Sequence, residues 1–154
     1  MPEPPTFLMG KFAAALPADL RYCRNHMWCR PGADGTHRFG FTAYALRLMQ
    51  DVYFLEWKVN DGDEVDLLQE IGFIESSKAE SALYAPAQGN GIRFNPELLS
   101  DPSRINVDTY GAAWLFELEC PGDTLMSPGE YHQFLTDNWE KTQRLIKGKI
   151  NTED

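Results

Sequence analysis

A single lysine, Lys78, stands in the polar run Glu75-Ser76-Ser77-Lys78-Ala79-Glu80-Ser81, between the apolar runs Ile71-Gly72-Phe73-Ile74 and Leu83-Tyr84-Ala85-Pro86. Polar residues of turn type between two β-prone runs predict a strand, a tight turn and a strand, with the amine at the tip in water. A lone lysine in such a turn commonly serves solubility, and the residue type by itself assigns it no further role. The other chemistry-bearing residues form no constellation. His26, His37 and His132 have no cysteine or carboxylate at zinc spacing, so no metal site is expected. No Gly-x-Ser-x-Gly elbow is present, and Gly89-Asn90-Gly91 lacks the setting of a phosphate loop. No catalytic residue is assigned, and the chain is read as a non-enzyme.

Elements that would position the lysine follow from the pattern on either side. Residues 1–19, opening Met1-Pro2-Glu3-Pro4-Pro5, are expected to form an N-terminal arm, with at most a helical turn near Phe12-Ala13-Ala14-Ala15. Leu20 to Arg30 reads as one strand, with Tyr22, His26 and Trp28 on one face and Cys23, Met27 and Cys29 on the other. Pro31-Gly32-Ala33-Asp34-Gly35 turns it back into His37–Phe41. Thr42 can cap a short helix, Ala43 to Met49, and Val52 to Val59 is rich in aromatic and β-branched residues. Asn95-Pro96 opens a one-turn helix, and Trp114 to Glu119 supplies a last strand. Ser127-Pro128-Gly129-Glu130 has the form of a capping box for a helix reaching about Lys147, with Gly148 as its stop. The tail's apolar residues, among them Tyr131, Phe134, Leu135, Trp139, Leu145 and Ile146, predict that this helix docks on the body of the protein.

Composition limits the partners. The 154 residues carry 14 Lys plus Arg against 23 Asp plus Glu, a net charge of −9. A surface this acidic disfavours nucleic acid and anionic membranes, and no apolar run approaches the ~20 residues of a transmembrane helix. The N-terminus lacks the marks of a secretory or transit segment, so a cytoplasmic location is expected. Cys23, Cys29 and Cys120 are an odd set without Cys-x-x-Cys spacing. On one strand, Cys23 and Cys29 would lie roughly 20 Å apart, and all three are expected to be free thiols.

Several blocks of this sequence, in order, resemble the glycine-cleavage H-protein family. Glu75-Ser76-Ser77-Lys78-Ala79 is similar to its lipoyl-attachment hairpin, Asn25-His26-Met27-Trp28 to its His-Glu-Trp strand, and Gly40-Phe41-Thr42-Ala43-Tyr44-Ala45 to its Gly-Ile-Thr-Asp-Tyr-Ala segment. Asn95-Pro96-Glu97-Leu98-Leu99, Ile105-Asn106 and Tyr110-Gly111-Ala112-Ala113-Trp114-Leu115 match its closing loops and strand, over about Leu20 to Leu135. The resemblance implies a mainly β fold, a lipoyl-domain-like hybrid barrel-sandwich with short helices and a C-terminal helix. It divides the chain into the arm 1–19, a lipoyl-carrier domain 20–120 and a C-terminal helix and tail 121–154. It also implies lipoic acid on Lys78, with Glu75, Ser76, Ser77 and Ala79 forming the attachment site and His26, Met27 and Ala82 as candidate contacts of the arm.

Implied partners are lipoate ligase or lipoyl-assembly enzymes and dihydrolipoyl dehydrogenase, together with either glycine decarboxylase and aminomethyltransferase or a heterodisulfide-reductase-like complex. Met27, Ala82 and Ala43 stand where the glycine-cleavage members carry Glu, Asp and Asp. An aminomethyl cargo is cationic, and losing three acids removes partners for that charge. The departures favour a lipoate-binding homologue of a sulfur-oxidising system, shuttling sulfur-bound intermediates. Glycine cleavage, with an aminomethyl cargo, is the alternative, and a non-lipoylated interaction module that keeps only the fold is the third reading.

Overall fold

The structure is a computed structural model that describes residues 5–122 and 125–146. The expected stop at Gly148 and the side chains of Leu145 and Ile146 lie outside the described residues. Ten strands run β1 (Thr6–Met9), β2 (Phe12–Ala15), β3 (Arg21–Tyr22), β4 (Met27–Arg30), β5 (Thr36–Phe41), β6 (Val52–Trp57), β7 (Glu70–Ser76), β8 (Glu80–Tyr84), β9 (Asn90–Phe94) and β10 (Phe116–Glu119). Three helices, α1 (Ala43–Met49), α2 (Pro96–Ser100) and α3 (Pro128–Ile146), and a 3-10 turn at Pro102–Asn106 complete the elements among the described residues. One sheet has the order β3-β4-β5-β10-β9, a second β6-β7-β8, and β1-β2 stands as a separate hairpin. Every pairing is antiparallel.

Two apolar clusters sit on either side of the five-stranded sheet. The larger fills the space towards β6-β7-β8, with Cys23, Met27, Cys29, Phe39, Ile74, Leu83 and Leu118 among its buried side chains. The smaller gathers Phe7, Met9, Leu16, Tyr22, Trp28, Tyr44, Tyr131 and Leu135 beneath the N-terminal hairpin, α1 and α3. The alternation in 20–30 therefore separates two cores, and neither face is left to solvent. Gly40 is required where β5 passes under Trp28, because a Cβ there would lie 2.6 Å from the indole.

Two expectations are corrected. The described part of the N-terminal arm, residues 5–19, packs as a β-hairpin and has no helical turn near Phe12: Thr6 pairs with Ala15 and Met9 with Phe12, the two-residue turn having Gly10 at φ 64°. The alanines that suggest helix are overridden by burial of Phe7, Met9 and Ala14 in the second cluster. Leu20–Arg30 is likewise not one strand. The chain reverses between β3 and β4, where the Cys23 N–H donates to the Met27 carbonyl at 2.9 Å and His26 takes φ 65°. Cys23 and Cys29 therefore sit on opposite limbs of a hairpin instead of along one extended strand. All three cysteines are buried and free.

The helices keep their expected caps. The Thr42 hydroxyl accepts from the Ala45 N–H, and Asn95 caps α2 ahead of Pro96. Ser127 and Glu130 exchange side-chain to backbone hydrogen bonds of 2.8 and 3.1 Å at the start of α3. Tyr131 stacks on Tyr22 with ring centroids 4.8 Å apart, seating the helix on the second cluster.

Candidate functional site

The site begins with β7 and β8, which pair in register from Gly72 opposite Leu83 to Glu75 opposite Glu80. Ser76 and Ala79 close the hairpin, leaving Ser77 and Lys78 as its two exposed tip residues. The Ser76 N–H donates to the Ala79 carbonyl at 2.8 Å. The buried Ser76 hydroxyl accepts from the Ala79 N–H at 3.1 Å and donates to the Ala79 carbonyl at 3.0 Å. One hydroxyl thus satisfies both polar groups of the residue that follows the lysine.

The tip is anchored from outside the hairpin as well. The Ser77 N–H donates to the Asp51 carbonyl at 2.9 Å, and the Lys78 N–H to the Met49 carbonyl at 3.2 Å. The Asp51 N–H reaches the Ser77 hydroxyl at 3.2 Å. Met49 ends α1 and Asp51 precedes β6, so the α1–β6 junction holds the backbone of the lysine turn. This support has no sequence motif, because it uses main-chain atoms of residues far from Lys78. The Lys78 side chain is exposed, and no ion pair or hydrogen bond of its amine is found among the described residues. A tied backbone with an exposed amine at its tip has the chemistry that attachment of a covalent arm, such as a lipoyl amide, requires.

Glu75 and Glu80 face each other across the strands beneath the tip. Like charges directly opposite are unfavourable in a sheet, and here they flank the lysine with negative charge.

The candidate contacts of the arm lie elsewhere in the fold: His26 in the β3–β4 turn, Met27 at the start of β4 and Ala82 on β8. Met27 is 1% exposed and belongs to the larger core, with the Asn25 amide 3.8 Å from its sulfur. Its thioether packs between the sheets and is not presented to an arm. Ala82 is half-buried on β8 opposite Phe73. His26 belongs to the layer under α3: its Nδ1 lies 2.9 Å from the Tyr131 hydroxyl, and its ring packs 4.9 Å from Tyr44 and 5.8 Å from Phe134. Burial pushes the His26 pKa down to about 4. Sequence reasoning passed over Asn25, whose amide donates to the Tyr84 carbonyl at 3.0 Å and joins the β3–β4 turn to β8.

Two stacked antiparallel sheets with an exposed lysine on a two-residue hairpin define a fold of the lipoyl-carrier type. The family model described as Glycine cleavage H-protein matches residues 20–138. A glycine cleavage system H protein of Carboxydothermus hydrogenoformans is 34% identical over 132 residues, covering 82% of this chain and 99% of that protein. One from Pseudoalteromonas translucida is 38% identical over 109 residues, 71% of this chain and 84% of the relative. Among solved structures, a glycine cleavage system H protein from Mycobacterium marinum superposes with a TM-score of 0.67 at 34% identity, covering 80% of this chain and 98% of that one. The chain belongs to the glycine cleavage H-protein family.

Proposed function

We propose that lipoate is attached to Lys78 and that this protein is the carrier of a glycine cleavage system, receiving an aminomethyl group through glycine decarboxylase and presenting it to an aminomethyltransferase. The observation that carries this reading is the exposed Lys78 amine, which pairs with no described residue, on a turn whose backbone is tied to Met49 and Asp51 and closed between Ser76 and Ala79. When bound, the lipoyl group supplies a dithiolane that thiol–disulfide exchange can open and that dihydrolipoyl dehydrogenase can restore. The chain's own residues do the positioning. Ser76 fixes the turn, the carbonyls of Met49 and Asp51 hold the tip N–H groups, and Glu75 and Glu80 mark the attachment site for the lipoate ligase or lipoyl-assembly enzymes.

The sulfur-oxidation reading drawn from Met27, Ala82 and Ala43 gains no support. The relatives that match are named glycine cleavage system H protein, and Met27 is withdrawn into the core. We further infer that residues 20–120 form the carrier domain proper, flanked by the N-terminal arm 1–19 and the C-terminal helix and tail 121–154, and that the protein works in the cytoplasm. The test is intact mass after co-expression with a lipoate-attaching enzyme, followed by glycine-dependent CO2 exchange with glycine decarboxylase. One lipoyl group on the wild type, none on Lys78→Arg, and exchange only with the modified form are expected. An unmodified wild type, or modification elsewhere, overturns the reading.

A further inference from the structure

At the end of β7 away from the lysine, the chain turns through Asp66-Leu67-Leu68-Gln69, closed by the Gln69 N–H donating to the Asp66 carbonyl at 3.1 Å. Leu68 takes φ 64°, a conformation usual for glycine at the third position of such a turn and rare for a bulky side chain. It is held there by its own N–H, which donates to the Ala85 carbonyl at 3.0 Å. Burial does not explain a leucine in this place: Leu67 is 59% exposed and Leu68 63%, with Tyr84, paired with Glu70 across the hairpin, 43% exposed beside them. The molecule thus keeps two solvated leucines, one of them, Leu68, in a strained conformation, and an aromatic at one corner, which its own core does not use.

The surroundings say what could cover this corner. Residues 51–86, which contain β6, β7 and β8, hold nine Asp and Glu against Lys58 and Lys78, a charge of −7 out of −9 for the chain. Lys58 is itself paired with Glu70. The segment that carries the attachment lysine therefore accounts for most of the protein's net negative charge, and acylation of Lys78 would add one more unit. The corner lies along β7 from the tip, seven residues Glu70–Ser76, or roughly 20 Å at strand rise. A standard interface of about 800 Å² per partner spans that distance. An enzyme seated on β7 and β8 at Lys78 can therefore cover the Leu67–Leu68 corner within the same footprint.

We propose that Leu67, Leu68 and Tyr84 form a docking epitope for glycine decarboxylase, seated in an apolar pocket whose rim is lysine and arginine. The inference rests on the carrier function proposed above. The epitope supplies apolar anchoring, and the carboxylates around it supply steering and register. The strained turn aims both leucines outward, which glycine or serine at these positions could not exploit.

The experiment uses the full, lipoylated chain and purified glycine decarboxylase. In glycine-dependent CO2 exchange, Leu67→Ser with Leu68→Gly should raise the KM for the carrier about tenfold with kcat unchanged. The same variant should bind immobilised decarboxylase correspondingly more weakly before lipoylation, when no arm chemistry can contribute. Raising the salt concentration should raise the wild-type KM. Because Leu68→Gly relieves the turn, the melting temperature should hold or rise, so that weaker docking is not a folding defect. An unchanged KM overturns the epitope, and so does a lowered melting temperature, which would make the leucines structural. A wild type that is lipoylated yet inert with the decarboxylase at every concentration overturns the carrier reading, and this inference with it.

Discussion

The Ser76 hydroxyl both accepts from the Ala79 N–H, at 3.1 Å, and donates to the Ala79 carbonyl, at 3.0 Å. A serine two residues before the lysine thereby does in a side chain what a tight-turn backbone bond would otherwise do, and leaves Ser77 and Lys78 to form the tip. Ser76→Ala removes the partner of the Ala79 N–H, a loss of about 1–2 kcal/mol for a partly buried group. It should also loosen the presentation of Lys78. Chemical denaturation should show the destabilisation, and the rate of lipoylation should fall, with Ser76→Thr retaining most of both. A wild-type lipoylation rate in Ser76→Ala would mean that the tip needs no such fixing.

Lys78→Arg separates the amine from the fold. The side chain is exposed and pairs with no described residue, so the substitution should change stability by less than about 0.5 kcal/mol. The lipoate-attaching enzyme should leave the variant unmodified. Equal melting temperatures with loss of the lipoyl mass are the expected result. A destabilised variant would show that the amine has a structural partner.

The hairpin, α1 with its Thr42 cap, the short helix after Asn95 and the capping box of α3 were all legible, because each depends on local chemistry: turn residues, caps and periodicity. The β1–β2 hairpin was not. Its alanines favour helix locally, and only the packing of Phe7 against Tyr44, His132 and Trp139, with ring centroids 5.5 to 5.7 Å apart, draws it into β structure. The reversal at Cys23–His26 was hidden for a related reason, since the apolar alternation continues across the turn while the backbone folds back at a positive φ that no glycine announces. At the site, the lysine and its serine were readable as a motif. The carbonyls of Met49 and Asp51 were not, because main-chain acceptors carry no residue identity.

The cysteines should behave as core side chains. Burial pushes the Cys29 thiol up to about 12 and the Cys120 thiol up to about 11, and raises Cys23 as well. At pH 8 almost no thiolate is present in the folded protein, so alkylation by iodoacetamide should be slow until the chain unfolds. Three equivalents should then react in denaturant without reductant. Rapid native labelling of any one of them would place that thiol at the surface.

His26 should make the seating of α3 sensitive to acid. Its ring lies against Tyr44, Tyr131 and Phe134, the Tyr131 hydroxyl bridges its Nδ1 to the Thr42 hydroxyl, and the Arg24 guanidinium lies 5.3 Å over the Phe134 ring. Burial lowers its pKa from 6.5 to about 4, so between those values the unfolded chain binds more protons than the folded one. Stability therefore rises with pH across this window. The contribution is complete above pH 6.5 and is lost as pH falls towards 4. At ~1.4 kcal/mol per unit the ceiling is about 3 kcal/mol, and partial contact of the ring with water reduces it to about 1–2 kcal/mol. Acid also relieves repulsion in a chain of charge −9, so the wild type alone is not diagnostic. His26→Asn is the comparison, because asparagine tolerates the positive φ at this turn and cannot titrate. Urea midpoints at pH 7 and pH 5 should fall further for the wild type than for His26→Asn, and the difference between the two drops measures the histidine. Equal drops would show that the ring is already solvated enough to protonate in place, and that α3 is not held through a neutral imidazole.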